Sequence, residues 1–272
     1  MNKVFNTGET SEDLKNEYNP EGSMLRKVQK RLLDMLIYLD SVCRKIGVPY
    51  ALVYGNVLGA VRHGGFVPWD DDVDVMIDKK DYKRLCDYLR DNPHPQYKLQ
   101  SVETDPRCLR LWNTLRDTKS RYIHNQNRSF DKSFKYQGLQ IDLFCFDSSI
   151  IPSLHYWSFI IYHNTVPKIA CKSFMGAKVV FSFLVYVLFP LFTIISKLFG
   201  KHNYYMRTYG NGPNVRYNVE IMKPFKEIEF EGYKFFGPAN PEKYLESEFG
   251  SWRDLPPKEK RRVHDVEYEI FD

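Results

Sequence analysis

The sequence contains few cysteines, and none of them is paired in a CxxC motif. They are an odd number, five: Cys43, Cys86, Cys108, Cys145 and Cys171. Their number and spacing argue against a disulfide framework and against a zinc site, so we interpret them as reduced, intracellular thiols. The N-terminal stretch 1–18 lacks the apolar core of a secretory signal. This absence predicts that the protein stays in the cytoplasm.

A large excess of charge of one sign is also missing. The chain has 39 basic and 34 acidic side chains, and its net charge of +5 is dispersed. We therefore expect no nucleic-acid partner, although this balance suits an anionic substrate or a membrane surface. A chain of 272 residues with 43% hydrophobic and 27% charged residues has a globular composition. The polar residues 1–22 are predicted to be loose.

The unusual residues of the chain are concentrated between Tyr50 and Asp78. An apolar run at 50–54 predicts a short strand, Gly55 and Asn56 break it, and residues 57–61 suit the start of a helix. At such a junction, glycine lets the backbone approach a ligand closely. The free N–H groups of the first helical turn favour an anion such as phosphate.

The acidic run that follows alternates with apolar residues at a period of two. This spacing places the carboxylates of Asp72 and Asp74 on one face of a strand, about 7 Å apart. Two carboxylates held that close raise each other's pKa unless a cation lies between them, so the pair predicts a bound divalent metal, Mg²⁺ or Mn²⁺. A calcium-binding EF-hand is excluded because its sixth position would be Val75 rather than Gly. A solvated acidic turn remains an alternative, but it would not need the alternating apolar residues.

The same alternation returns in residues 139–144. Leu139, Ile141 and Leu143 are predicted to face the core, and Asp142 the opposite side. A third carboxylate can therefore project beside Asp72 and Asp74. In isolation, Asp142 would be interpreted as an exposed acid on a strand.

Other patterns predict the surrounding elements. Apolar residues at steps of three and four predict a helix that starts at the N-cap Ser23 and ends at Gly47. Further predicted elements are a helix capped by Asp78, strands at 97–104 and 109–116, a hairpin at 226–236 and a short helix between Asn240 and Gly250.

Residues 150–205 differ from the rest because Val179–Ile195 carries no charge. A helix of this length measures roughly 25 Å, close to the 30 Å core of a bilayer. We reject a complete crossing, because it would separate the C-terminal part from the carboxylates. Lysines flank both ends of the run, so charge gives no orientation. Either the segment is a monotopic or re-entrant membrane element, which we favour, or it is a buried helix pair.

Three stretches carry a resemblance to a known family: Gly55, the run LGAVRHGGFVPWDDDVDV from Leu58 to Val75, and QIDLF from Gln140 to Phe144. They resemble the LicD family, which includes fukutin and the fukutin-related protein and belongs to the nucleotidyltransferase-fold superfamily. The chain departs from the general superfamily pattern at Asn56, where Ser or Thr is usual. The resemblance implies a mixed α/β (α+β) fold. In it, residues 23–272 form one domain with a central sheet flanked by helices and an apolar helical insertion at about 150–205.

The resemblance also implies a reaction, in which a phosphorylated small alcohol moves from a CDP-activated donor to a hydroxyl of a surface glycan. The alcohol would be choline, ribitol or glycerol, and the acceptor a glycan such as lipopolysaccharide or teichoic acid. An acceptor carried on lipid would place the enzyme at the cytoplasmic face of the cell membrane. Nucleotidyl transfer to a small acceptor is the competing activity, and an inactive membrane-associated binding protein of the same fold is the non-enzymatic alternative.

Each candidate site residue has an expected role in that reaction. We expect Mg²⁺ (or Mn²⁺) on Asp72 and Asp74, with Asp142 completing the metal site or accepting the proton of the acceptor hydroxyl. The remaining candidates would bind nucleotide or phosphate: Gly55 and Asn56 at the turn, Arg62 on a phosphate oxygen, and Trp69 in the nucleotide pocket. Arg62 could equally form a structural salt bridge. We expect His264 to be a surface histidine.

Overall fold

The computed structural model of the chain describes residues 4–124, 131–200, 203–212, 215–261 and 266–271. Helices and strands of both kinds alternate along these residues. The helices are α1 (Ser11–Tyr18), α2 (Met24–Ile46), α3 (Gly55–His63), α4 (Lys79–Asp91), α5 (Pro152–Ala170), α6 (Phe174–Phe183), α7 (Phe189–Phe199), α8 (Val219–Met222) and α9 (Pro241–Phe249). The strands are β1 (Tyr50–Leu52), β2 (Val73–Asp78), β3 (Tyr97–Gln100), β4 (Asn113–Asp117), β5 (Ser120–His124), β6 (Gln140–Asp147), β7 (Tyr204–Arg207), β8 (Tyr217–Asn218), β9 (Lys226–Phe230), β10 (Tyr233–Gly237) and β11 (Val266–Ile270).

The central sheet is mixed, which confirms the predicted fold class. Its main path runs in the order β1, β2, β6, β4, β3, and β7 pairs with the end of β6. The central pair β2 and β6 is parallel, whereas the other ladders of this path are antiparallel. Val73, Val75 and Ile77 are buried as the alternation predicted. Two small antiparallel sheets, β9 with β10 and β5 with β11, lie outside the main one.

The helix predicted after Ser23 is the longest element that packs on this sheet. The Ser23 side chain accepts a hydrogen bond from the N–H of Arg26, and Gly47 ends the helix at a φ of 65°. A positive φ carries no steric cost for glycine, so the chain can turn there into β1. The inner face of α2, which includes Leu32, Met35 and Leu39, is fully buried in the core.

The N-terminal segment differs from the prediction that residues 1–22 are loose. Phe5 is buried in the core, and a capping box between Thr10 and Asp13 forms the N-terminus of α1. Leu14 is fully buried in the same core as the sheet. The Glu9 carboxylate accepts two hydrogen bonds of 2.8 Å from Arg261. The prediction failed because the segment, although polar on average, contains the buried apolar residues Phe5 and Leu14. Its Glu9 also forms an ion pair with Arg261, far along the chain.

Several predicted boundaries also shift. β3 ends at Gln100 rather than at Thr104, because the side chains of Ser101 and Thr104 hydrogen-bond to nearby backbone and form a turn. Asp78 occupies the N-cap position of α4 without a capping hydrogen bond. Its carboxylate instead accepts a hydrogen bond from Lys223. The hairpin at β9 and β10 and the helix after Asn240 form as predicted.

The insertion forms a helical hairpin of α5 with a second, continuous helix, Phe174–Phe199. Within that helix, a π-helical stretch at Leu184–Leu188 precedes Pro190 and links α6 to α7. Length and composition would allow this helix to cross a membrane. One of its faces packs on the protein from end to end, at Ala177, Phe181, Leu184, Phe189 and Ser196.

Candidate active site

The turn between β1 and α3 is built around Tyr54. Tyr54 adopts a φ of 52° without being glycine, a conformation that costs free energy and that contacts must hold in place. Its N–H donates to the hydroxyl of Tyr244 at 2.8 Å, and its own hydroxyl accepts from Nε of Arg207 at 2.8 Å. The turn is therefore fixed by residues from β7 and α9, which follow the insertion.

Asn56 holds the acidic strand in place through its side chain. Its amide donates to the carbonyl of Asp72 at 3.0 Å and accepts from the N–H of Asp74 at 2.6 Å. The Asn56 side chain is buried, so both ends of the amide serve the backbone of the strand. A phosphate contact made by this side chain would have to displace those hydrogen bonds.

The predicted carboxylates lie at one end of β2 and β6, although β2 begins at Val73 and Asp72 therefore precedes the strand. Asp74 on β2 is the direct cross-strand neighbour of Asp142 on β6, and adjacent strands lie about 4.8 Å apart. Burial and the neighbouring carboxylates, with Asp70 first among them, raise the pKa of Asp72 well above its usual value. Like charges therefore accumulate at this end of the two parallel strands.

Asp142 has surroundings of its own. Its carboxylate accepts a hydrogen bond of 2.9 Å from Gln140 Nε2. Burial raises the pKa of Asp142, while the positive charges of Arg110 and Arg116 oppose that rise. Asp142 is thus the cross-strand neighbour of Asp74, and its carboxylate lies near arginines of β4 and of the loop that precedes β4.

A cleft of about 740 Å³ opens over the acidic strand. One wall comes from the predicted motif and the other from the C-terminal part of the chain. Gly55 lies against the carboxylate of Asp70, since a Cβ atom there would be 2.4 Å from Oδ2 of Asp70. The lining residues are Tyr54, Gly55, Leu58, Arg62, Val67, Trp69, Asp70, Asp72, Asp74, Arg207, Glu248, Phe249, Ser251, Trp252, Asp254, Leu255 and Pro256.

Arg62 lines this cleft, but its guanidinium is used to hold the C-terminal loop. Nη1 donates to the backbone carbonyls of Trp252 at 3.0 Å and Asp254 at 3.2 Å, and Nε donates to Nε2 of His63 at 2.9 Å. Burial, with a contribution from Arg261, lowers the pKa of Arg62 to about 10. These partners are two carbonyls and the His63 ring, not the carboxylate that a salt bridge would require.

Trp69 lies in the cleft wall, where the sequence analysis expected an aromatic residue. Its ring is mostly buried, packs edge-on against Tyr18 at 5.2 Å and lies under the guanidinium of Arg261 at 5.6 Å. The Trp69 ring is therefore fixed before any ligand arrives.

The residues that complete the cleft from the far side of the insertion were not predicted from the sequence. Arg207, Glu248 and Trp252 are the main ones, and Asp70 was missed within the motif itself. Burial raises the pKa of Glu248, and its carboxylate accepts a hydrogen bond from the hydroxyl of Tyr217. No periodicity or motif links these residues to the acidic run. The His264 prediction lies outside the described residues.

The donors in the cleft fit a hard divalent cation bound jointly with a ligand. Within the described ranges, no three His, Cys, Asp or Glu side chains form a complete metal-binding group. Mg²⁺ seldom needs one, because it keeps several waters and takes one or two carboxylates together with substrate phosphates. Asp72 and Asp74 provide such a pair, and a cation would offset the charges that raise the pKa of Asp72.

Comparison with known proteins identifies relatives of this chain. The model of the LicD/FKTN/FKRP nucleotidyltransferase domain matches residues 47–194, more than half of the chain. The lipopolysaccharide cholinephosphotransferase LicD of Haemophilus influenzae is 37% identical over 79 residues, which cover 29% of this chain and 30% of the relative. The ribitol 5-phosphate transferase FKRP of Mus musculus and that of Homo sapiens are each 45% identical over 53 residues, or 20% of this chain and 10% of the relative. The matched segments thus span less than a third of each relative's length.

Proposed function

Because the chain belongs to the LicD/FKTN/FKRP nucleotidyltransferase family, we propose that it transfers a phosphorylated small alcohol to a hydroxyl of a glycan. The relatives differ in the group that their names specify: LicD is a cholinephosphotransferase, and FKRP is a ribitol 5-phosphate transferase. The observation that carries the proposal is the cleft in which Asp72 and Asp74 face a wall that contains Arg207. Carboxylates for a metal opposite a cation suit a ligand with concentrated negative charge.

The donor we propose is a CDP-activated alcohol. The acceptor oxygen forms a bond to the phosphorus that carries the alcohol, and the bond from that phosphorus to the bridging oxygen breaks. CMP leaves with the electron pair, and the acceptor's proton passes to a base or to solvent. Such transfers depend mainly on positioning and on charge neutralisation in line with the leaving group.

Asp72 and Asp74 would hold Mg²⁺ (or Mn²⁺), and Asp142, on the neighbouring strand, would accept the proton of the acceptor hydroxyl. When bound, the ion would supply positive charge to the diphosphate oxygens. Asn56 keeps the two strand carboxylates at a fixed spacing through its contacts with the backbone. Gly55 allows close approach at the turn, and Trp69 provides a fixed aromatic wall for a cytosine base.

We also propose that the insertion contacts the cytoplasmic face of the cell membrane. The outer face of Phe174–Phe199 is exposed and apolar, with Tyr186 70% and Leu198 71% exposed. The inner face is anchored at both ends, by Ser196 to Tyr209 and by Phe174 to Arg107. A helix held lengthwise against the protein favours lying in the membrane surface over crossing it. A lipid-carried acceptor glycan fits that arrangement.

The decisive experiment offers purified protein CDP-choline, CDP-ribitol and CDP-glycerol with Mg²⁺ and a glycan acceptor, and measures CMP release and product mass. We expect CMP from one donor and a product heavier by the phospho-alcohol. A product heavier by a nucleoside monophosphate would establish nucleotidyl transfer instead. No turnover with any donor, despite binding, would favour a non-enzymatic binding protein.

A further inference from the structure

Arg207 lines the cleft, and contacts with neighbouring side chains hold its guanidinium in place. It ends β7, the strand by which the chain returns from the insertion to the central sheet, where it pairs with Phe146. Its guanidinium carbon lies 3.7 Å from the centre of the Phe144 ring and 4.7 Å from that of Tyr54. Two aromatic rings and the hydrogen bond to the Tyr54 hydroxyl therefore fix its position at the cleft wall.

The guanidinium has few polar partners for such a fixed charge. Across the described parts of the chain, no carboxylate oxygen lies within 4.0 Å of it, and only Nε donates a hydrogen bond, to Tyr54. A guanidinium has five N–H donors, so both terminal nitrogens retain theirs. Gly212 lies beside one of them, since a Cβ atom there would be 2.3 Å from Nη1.

The contrast with Arg62 assigns the two arginines of the cleft different tasks. Arg62 donates from Nη1 and Nε to groups of the protein itself, and so ties the C-terminal loop to α3. Arg207 keeps its terminal nitrogens available on the same cleft that contains Asp72 and Asp74. The charge of Asp74 acts on Arg207 at longer range than a salt bridge.

We infer that Arg207, and not Arg62, binds the diphosphate of the donor, through non-bridging oxygens that face its terminal nitrogens. This inference rests on the proposed function and specifies how its substrate is held. A planar guanidinium can offer two parallel N–H groups to one phosphate, and a stacked one loses little conformational freedom on binding. The arrangement also gives the strained Tyr54 a role, because its hydroxyl orients the arginine.

The test is equilibrium binding of inorganic pyrophosphate in the presence of Mg²⁺, measured by titration calorimetry on the full chain. Loss of charge-assisted hydrogen bonds predicts that Arg207→Gln weakens this binding about tenfold to a hundredfold. Arg207→Lys keeps the charge but loses the planar pair of donors, so we expect a smaller loss. Arg216→Gln is the matched control, since it removes the same charge from an exposed side chain over Tyr204. We expect the control to bind like the wild type.

Equal affinity in Arg207→Gln and the wild type would overturn the inference, and so would a wild type that does not bind pyrophosphate. If Arg207→Gln fails to fold, as judged by circular dichroism, Tyr54→Phe replaces it. That variant removes only the orienting hydroxyl, and we expect a loss of several-fold, whereas no loss would count against the inference. Binding that depends on Arg207 without CMP release from any CDP-alcohol would refute the transferase proposal alone. CMP release with an unchanged KM in Arg207→Gln would refute the arginine's role alone.

Discussion

Replacing Asn56 tests whether its side chain holds the acidic strand or binds phosphate. In Asn56→Ala, the carbonyl of Asp72 and the N–H of Asp74 lose their partner inside the protein. Each buried backbone group left without a hydrogen bond costs about 1–3 kcal/mol, so we expect the free energy of unfolding to fall by about 2–6 kcal/mol. A domain of ordinary stability would still fold.

The same variant should weaken metal binding without removing a ligand. Residues that orient metal ligands typically change the affinity about tenfold to a hundredfold. We therefore expect Mn²⁺ affinity, measured by electron paramagnetic resonance, to fall at least tenfold. Asn56→Asp keeps an acceptor for the Asp74 N–H but cannot donate to Asp72, and it adds a negative charge to the cluster. In metal-free buffer, Asn56→Asp should therefore be at least as unstable as Asn56→Ala.

The assay is urea unfolding of both variants, with Asn92→Ala as the control. Asn92 is exposed and its side-chain amide donates to the carbonyl of Tyr88 at the end of α4, away from the cleft. The change in the control should stay within about 0.5 kcal/mol. Unchanged stability in Asn56→Ala, together with weaker binding of CDP-choline, would refute the positioning role. It would instead support the phosphate contact expected from the sequence.

Three further outcomes follow from the site and the insertion. Asp72→Asn and Asp74→Asn should each lower CMP release by several orders of magnitude with the fold intact. Removal of divalent metal by EDTA should have the same effect until Mg²⁺ is restored. Near-normal turnover would exclude a metal role. Because the pKa of Asp72 is raised in the folded state, the metal-free protein should lose stability as the pH rises above the usual carboxyl range. Thermal unfolding should show that Asp72→Asn lacks this loss, and an unchanged pH dependence would contradict the assigned shift. Flotation with anionic vesicles should fail for Tyr186→Glu and Leu198→Glu but not for the exposed control Tyr233→Glu, and a wild type that stays soluble without detergent would argue against membrane contact.

Local periodicity was sufficient to predict the strand that carries Asp74, although this strand begins at Val73 and Asp72 precedes it. Val73, Val75 and Ile77 are buried as their spacing required, because a strand with one face in the core fixes the direction of every second side chain. The same rule placed Asp142 beside Asp74, although pattern alone could not establish that β2 and β6 are adjacent and parallel.

Contacts between distant parts of the chain could not be predicted in the same way. The N-terminal segment looks loose because its composition is polar, yet its Glu9 finds Arg261 near the other end. Arg62 stands inside the motif and looks available, but its partners are backbone carbonyls, which leave no trace in the sequence. An arginine's partners depend on tertiary packing, which side-chain spacing does not encode.

The insertion explains why the second wall of the cleft escaped the sequence analysis. It separates β6 from β7 along the chain, but β7 returns to pair with the end of β6, so Arg207 reaches the strand that carries Asp142. Two residues further on, the Tyr209 hydroxyl bonds Ser196 on the apolar helix. A short stretch of backbone therefore joins the surface proposed to meet the membrane with the residue proposed to bind the donor. In a hairpin anchored this way, displacement of α7 would move β7, and the position of Arg207 would depend on how the insertion is seated.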